Sequence, residues 1–154
     1  HPVTEMITGL DLVEQQIRVA SGEGRDIKQE DVVFEGHSFE RRINAEDPFN
    51  FMPSPGLVTA YHPPGGMGIR VDSHLFADYR MPPHYDSLAG KIIVHAKDRK
   101  SAIQRCLRAL AETHIDGIKT NLELHDFILR HEAFQGGDIT IHWLEQALEA
   151  RASS

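Results

Sequence analysis

The chain has 154 residues, enough for one domain with a buried core. Its 16 basic and 23 acidic residues give a net charge of -7, which argues against general binding to nucleic acid or anionic membranes, because both need a clustered positive patch. The apolar stretches are short, which argues against a membrane span or a signal peptide. Cys106 is alone, so no disulfide or cysteine metal cluster is expected, and a soluble, cytoplasmic protein fits best.

The first predicted element is a helix over residues 9–20. Thr8 is its expected N-cap, and Asp11 follows three residues later as in a capping box. An apolar stripe at helical spacing supports the helix and consists of Leu10, Val13 and Ile17.

Short strands with turn chemistry between them make up the middle of the chain. The predicted strands cover residues 39–46, 57–62, 69–74 and 91–96. The Pro-Ser-Pro-Gly run at 53–56 predicts a rigid turn, and the Pro-Pro-Gly-Gly run at 63–66 predicts a hairpin. These features are typical of antiparallel pairing.

The last third of the chain changes to a helical period. Asp98 is the expected cap of a helix over residues 99–114, and either Thr120 or Asn121 caps the next one. A short final helix carries Trp143, Leu144, Ala147 and Leu148. We therefore predict one α+β domain over residues 1–150, in which antiparallel strands form a meander flanked by helices, and a tail over residues 151–154.

The strand at residues 39–46 has two chemically different faces, because side chains alternate along a strand. One face carries Phe39, Arg41, Ile43 and Ala45, and the other carries Glu40, Arg42, Asn44 and Glu46. The second face is wholly polar. Two interpretations stay open at this point: the face orders a charged ligand in a cleft, or it faces water.

Other motifs do not identify a reaction. The glycines at 65–68 lack the spacing and the Lys-Ser/Thr ending of a phosphate loop, and none of the ten histidines has the spacing of a helical zinc site. The run His-Tyr-Asp-Ser at 84–87 contains hydrolase residue types, but a catalytic triad is a spatial arrangement. Arg70, Asp72 and His74 form a second polar stripe, which we expect to face water.

Six segments in register resemble the C-terminal domain of biotin carboxylase. They are His-Pro-Val-Thr-Glu-Met at 1–6, Arg-Ile-Asn-Ala-Glu-Asp-Pro at 42–48, Pro-Ser-Pro-Gly at 53–56, Pro-Gly-Gly at 64–66, Tyr-Asp-Ser at 85–87 and Asp-Gly-Ile-Lys-Thr-Asn at 116–121. The resemblance runs from His1 to about Leu148 and implies the fold of that domain.

The resemblance also implies an activity, cofactors and partners. The family uses ATP, magnesium and bicarbonate to carboxylate biotin on a biotin carboxyl carrier protein, and it works with carboxyltransferase subunits. Its ATP-grasp part supplies the nucleotide and metal sites, which precede the segment seen here. Because the chain also lacks an initiator methionine, we expect a fragment that is inactive alone, binds none of these cofactors alone and provides no metal ligands.

Five residues acquire expected roles from this resemblance. Arg42 matches the family arginine that contacts the bicarbonate-derived group and the biotin ureido oxygen, and Glu40 and Asn44 are expected to hold its guanidinium in place. Arg70 matches a homodimer contact, and Met67 lies where relatives often carry an aromatic residue.

Three parent proteins or roles remain as alternatives. The ending at 136–145 looks most like the separate bacterial acetyl-CoA carboxylase subunit, which implies a role in fatty acid synthesis. The second possibility is the matching domain of a propionyl-CoA, methylcrotonyl-CoA or pyruvate carboxylase. The third is a non-catalytic module for dimerisation or carrier docking, supported by the strand that contains Arg70.

Overall fold

Six α-helices, one short 3-10 helix (Gln29–Asp31) and seven strands lie in the part of the chain that the computed structural model describes, residues 1–24 and 27–152. The helices are α1 (Pro2–Thr8), α2 (Leu12–Ala20), α3 (Arg99–Glu112), α4 (Leu122–Arg130), α5 (Glu132–Gly136) and α6 (Trp143–Ala152). The strands are β1 (His37–Asn44), β2 (Gly56–Leu57), β3 (Ala60–His62), β4 (Ile69–Ser73), β5 (Arg80–Met81), β6 (Leu88–Ala96) and β7 (His114–Asp116).

An antiparallel sheet in the order β1-β6-β4 forms the centre of the fold. Its central strand β6 is apolar and largely buried, with Ile93 and Val94 fully excluded from solvent. Two short antiparallel ladders, β2 with β5 and β3 with β7, complete the strand pairing. The α+β prediction is confirmed, although neighbouring strands of the central sheet are not consecutive in the chain.

Helix α3 covers one face of the sheet, as its apolar period predicts. The Asp98 side chain caps it by accepting a hydrogen bond from the Ser101 amide at 2.7 Å. Five residues on one side of the helix are buried in the core: Ala102, Ile103, Cys106, Ala109 and Leu110. The predicted Asp98 cap is confirmed, and the helical period gives α3 one buried face.

The prediction of one helix over residues 9–20 is wrong at its start. Gly9 adopts a left-handed conformation, with φ of 71°, and ends α1 instead of opening α2. Asp11 is the N-cap of α2, and its carboxylate accepts a hydrogen bond from the Glu14 amide at 2.8 Å. The chain therefore turns between two helices at a position where the apolar period suggested only one.

The predicted strand over residues 57–62 is also wrong, because the segment belongs to two ladders. Leu57 pairs with Arg80, whereas Ala60 pairs with Asp116. The Pro-Pro-Gly-Gly run at 63–66 follows β3, but β3 pairs with β7 and not with the next strand, so no hairpin forms there. The pairing of β2 with β5 and of β3 with β7, both distant in the chain, replaces the hairpin that the local turn pattern predicted.

Helices α4 to α6 pack on the core after β7. Asn121 occupies the N-cap position of α4, as one of the two predicted alternatives, but its side chain makes no capping hydrogen bond. Helix α6 extends through Arg151 and Ala152 into the predicted tail, whose Ser153 and Ser154 lie outside the described residues. None of the helices described here is long and apolar enough to cross a membrane.

Candidate active-site strand

Strand β1 presents its two faces as the sequence predicts. Arg41 and Ile43 are buried on the side of the core, at 9% and 2% exposure, whereas Arg42 between them is exposed. The irregularity in the β1–β6 register falls immediately after this point, between Ile43 and Asn44. Arg42 is thus the solvent-facing cation next to a bend in the strand.

The Arg42 guanidinium is free to meet a ligand. Within residues 1–24 and 27–152, no hydrogen bond or ion pair engages its side chain. Lys91 is its cross-strand neighbour on β6, and the Lys91 ammonium lies 3.3 Å from a Glu40 carboxylate oxygen. The half-buried Glu40 compensates the positive charge of Lys91 and leaves that of Arg42 uncompensated.

Glu40 and Asn44, which were expected to hold the Arg42 guanidinium, have other partners here. Glu40 binds Lys91, and the Asn44 side-chain amide donates to Glu46 at 3.3 Å. The Asn44 Oδ1 atom is buried without a partner. Support of the Arg42 guanidinium by these two side chains stays a prediction.

The backbone of Arg42, in contrast, is held by two side chains to which the sequence analysis gave no role at this site. Asn121 Nδ2 donates to the Arg42 carbonyl at 3.1 Å, and His125 Nε2 donates to the same oxygen at 2.9 Å. Asn121 Oδ1 also accepts the Asn44 amide at 2.9 Å. Asn121 was predicted only as a helix cap, and its failure to bond its own helix is explained by these contacts.

The environment of His125 keeps its ring neutral. Burial lowers the pKa of His125 from 6.5 to about 4, the hydrogen bond to the Arg42 carbonyl opposes this shift, and the nearby Arg41 charge adds to it. A carbonyl oxygen only accepts, so Nε2 carries the proton, and the buried Nδ1 has no partner. His125 is therefore a neutral donor at physiological pH.

Of the two expected dimer-contact residues, Arg70 is bonded within the chain and Met67 is exposed to solvent. Arg70 donates to Glu5 at 2.6 Å and to both carboxylate oxygens of Asp72 at 2.8 Å. These bonds raise the pKa of Arg70, and the Arg70 hydrogen bond is the main cause of the lowered pKa of Glu5. Met67 is 87% exposed. The polar stripe at Arg70 thus ties β4 to α1 and does not simply face water.

The remaining motifs form no reaction centre. In the run at 84–87, the Asp86 carboxylate accepts the Leu88 amide at 2.8 Å, and the Ser87 hydroxyl donates to Glu46 at 3.3 Å. His84 contributes to neither bond. Over the described ranges, no group of three His, Cys, Asp or Glu side chains is placed to hold a metal ion.

Two family models match the chain. The model of the biotin carboxylase C-terminal domain matches residues 40–146, from β1 to α6, and includes Arg42, Asn121 and His125. The model of the ATP binding domain of the carbamoyl-phosphate synthase L chain matches residues 1–28.

Curated relatives agree with the first of these models. The chain is 56% identical over 148 residues to a biotin carboxylase of Pseudomonas aeruginosa, a match that covers 96% of this chain and 33% of the relative. It is 50% identical over 147 residues to a pyruvate carboxylase subunit of Methanothermobacter thermautotrophicus, covering 95% of this chain and 30% of the relative. The chain thus spans about a third of the length of the curated relatives it matches.

Solved structures have the same fold. A biotin carboxylase complex from Campylobacter jejuni matches with a TM-score of 0.91 and 42% identity, over 95% of this chain and 32% of that chain. The biotin carboxylase domain of the Hydrogenobacter thermophilus 2-oxoglutarate carboxylase matches with a TM-score of 0.92 and 46% identity, over the same shares. That structure is described as a dimer in complex with MgADP, ADP and bicarbonate.

Proposed function

Because the chain belongs to the biotin carboxylase C-terminal domain family, we propose that it forms the C-terminal part of an ATP-dependent biotin carboxylase. In this proposal the whole enzyme uses ATP and bicarbonate to carboxylate biotin on a carrier protein. The observation that supports it most is Arg42, whose uncompensated guanidinium faces solvent while its backbone is fixed by two side chains.

Arg42 is suited to stabilise negative charge on biotin. When the ureido group loses its proton, the charge is delocalised onto the ureido oxygen, and a guanidinium held opposite that oxygen stabilises the charge as it develops. Loss of one such donor typically costs on the order of 3 kcal/mol in the activation barrier.

In this proposal, the ATP and magnesium sites belong to an ATP-grasp portion that lies mostly outside this chain, since the ATP binding domain model matches only residues 1–28. Within residues 1–24 and 27–152, no group of three His, Cys, Asp or Glu side chains is placed to hold a metal ion. We therefore call the chain joined to an ATP-grasp portion the full-length carboxylase, and we expect the chain alone to be inactive.

The experiment is an assay with labelled bicarbonate, magnesium, ATP and free biotin. The full-length carboxylase should form carboxybiotin only when ATP is present, whereas the chain alone should form none. The function is refuted if the full-length carboxylase gives no ATP-dependent label in biotin.

The parent pathway is proposed from the relatives. Similarity to bacterial biotin carboxylases supports a place in fatty acid synthesis in the cytoplasm, with biotin carboxyl carrier protein and carboxyltransferase subunits as partners. The 50% identity to part of a pyruvate carboxylase supports the alternative of a pyruvate carboxylase. The acceptor that receives carboxyl from the purified enzyme system, acetyl-CoA or pyruvate, distinguishes the two.

A second candidate function is self-association, favoured by the 87% exposure of Met67. In this proposal Met67 and Arg70 lie at a homodimer interface. Sedimentation should then detect a dimer of the isolated chain, and Met67→Glu or Arg70→Glu should dissociate it. Ile141→Glu, which changes an equally apolar residue that is 92% exposed, is the control and should leave the dimer intact. A monomeric isolated chain would remove this candidate.

A further inference from the structure

Among the described residues, no strand pairs with the outer edge of β1 at Arg42 and Asn44. Strand β1 lies at one end of the β1-β6-β4 order, so one row of its backbone groups points away from the sheet. The groups in question are the Arg42 carbonyl, the Asn44 amide and the Asn44 carbonyl, and all three bond to Asn121. The edge of β1 is therefore completed by a residue that precedes α4.

The Asn121 side chain imitates the backbone of a neighbouring strand. In a parallel ladder, a partner residue donates to one carbonyl and accepts from the amide two residues further on. Asn121 does this with its carboxamide, since Nδ2 donates to Arg42 and Oδ1 accepts from Asn44, at 3.1 and 2.9 Å. Its own backbone amide then donates to the Asn44 carbonyl at 3.2 Å.

His125 adds a second donor to the Arg42 carbonyl, at 2.9 Å. A carbonyl oxygen has two lone pairs and accepts both hydrogen bonds at once. Two donors from one end of α4 thereby fix the peptide plane that follows Arg42, and with it the direction in which the Arg42 side chain leaves the strand.

This support acts where β1 is least regular. The register with β6 shifts between Ile43 and Asn44, so pairing with β6 alone constrains the backbone less on that side of Arg42. The guanidinium itself has no protein partner in the described part of the chain, and its direction depends on its backbone. We propose that Asn121 and His125 are positioning residues that aim Arg42 at the substrate through its carbonyl group.

This inference rests on the proposed function of Arg42, and the test is a double-mutant comparison in the full-length carboxylase. Asn121→Ala and His125→Leu should each lower kcat for biotin carboxylation about tenfold or more, because small displacements of a charge-stabilising group are costly. Binding of ATP should not change. In an Arg42→Ala background, the same two substitutions should lower kcat by less than about twofold, since they act through Arg42.

Two further variants separate positioning from folding. Asn121→Asp keeps the oxygen that accepts the Asn44 amide but replaces the donor to Arg42, and it should lower kcat like Asn121→Ala. His125→Gln supplies an amide N–H of similar reach and should restore kcat to within about threefold of the unsubstituted enzyme. His142→Leu, on an exposed histidine outside the site, is the control and should retain full activity.

The outcomes are distinguishable. If Arg42→Ala lowers carboxylation but the Asn121 and His125 variants do not, the positioning role is wrong and the proposed function stands. Equal losses with and without Arg42 would show a general structural effect and would also refute the positioning role. Should Asn121→Ala not fold, Asn121→Asp and the pair of His125 variants decide the question. If Arg42→Ala leaves carboxylation unchanged, the role proposed for Arg42 is itself wrong.

Discussion

Arg41 and Arg42 are adjacent in the chain and lie in opposite environments. Arg41 lies over the neighbouring rings of Phe39 and Phe134, with its guanidinium carbon 5.2 and 5.1 Å from the two ring centroids. Its Nε and Nη2 atoms are buried without hydrogen-bond partners. Arg42 faces solvent. Strand alternation predicts this separation, but the sequence alone does not reveal that aromatic rings stabilise the buried charge, because Phe134 comes from the distant helix α5.

The depressed pKa of His125 predicts a pH dependence of stability. Its value of about 4 in the folded chain lies below the ordinary 6.5, so the unfolded chain binds more protons between these two pH values. The contribution of His125 to the free energy of unfolding is therefore complete above pH 6.5 and is lost as the pH falls towards 4. It amounts to up to roughly 3 kcal/mol.

Urea unfolding of the chain at a series of pH values tests this prediction. Unsubstituted protein should lose more stability between pH 6.5 and pH 4 than His125→Leu and His125→Gln, which carry no titratable ring at this position. Identical pH profiles for all three proteins would show that His125 does not have the lowered pKa.

At the scale of elements, regular hydrophobic periods predicted helices correctly, whereas the boundaries between consecutive elements were not predicted. Helix α3 was correct because its cap and buried stripe are local features of the sequence. The boundary between α1 and α2 was missed, since the left-handed turn at Gly9 interrupts an otherwise continuous helical pattern. Strands β2 and β3 were merged because their separate partners, β5 and β7, follow much later in the chain.

The turn at Gly117 connects β7 to the segment that places Asn121 beside β1. Gly117 has a φ of 90°, and a Cβ atom there would overlap the Leu57 carbonyl. Gly117→Ala should therefore destabilise the chain by about 3 kcal/mol, from backbone strain and steric overlap together. Urea unfolding measures the change.

Gly22→Ala is the matched control for that substitution. Gly22 also has a positive φ, of 83°, but no atom lies within 4 Å of the position that a Cβ atom would take on its backbone. Gly22→Ala should therefore lower the free energy of unfolding by only about 1 kcal/mol, which is the cost of the left-handed conformation alone. Equal losses for the two variants would contradict the steric account of the Gly117 turn.

For the whole molecule, the position of the candidate site was predictable and its support was not. The polar face of β1 follows from alternation, and the register of six motifs selected Arg42 from that face. The hydrogen bonds that support the site join Arg42 and Asn44 to residues that lie 77 to 83 positions later in the chain. Nothing local distinguishes Asn121 from an ordinary cap or His125 from an ordinary helical histidine, so these roles emerge only from the assembled fold.

The exposed stripe of α2 is a second feature that only the whole fold reveals. Its apolar period predicts a buried face, yet Val13 and Ile17 are 61% and 64% exposed. The described part of the chain does not cover this stripe. An apolar period identifies the apolar face of a helix, but it does not show that this face packs against the same chain.

The most direct test of the account measures ATP affinity and biotin carboxylation on one preparation of the full-length carboxylase carrying Arg42→Ala. Arg80→Ala, which removes another exposed arginine, is the control and should match the unsubstituted enzyme in both measurements. The account predicts that Arg42→Ala keeps its ATP dissociation constant while kcat for carboxylation falls about 100-fold or more. An unchanged carboxylation rate with intact ATP binding would contradict it.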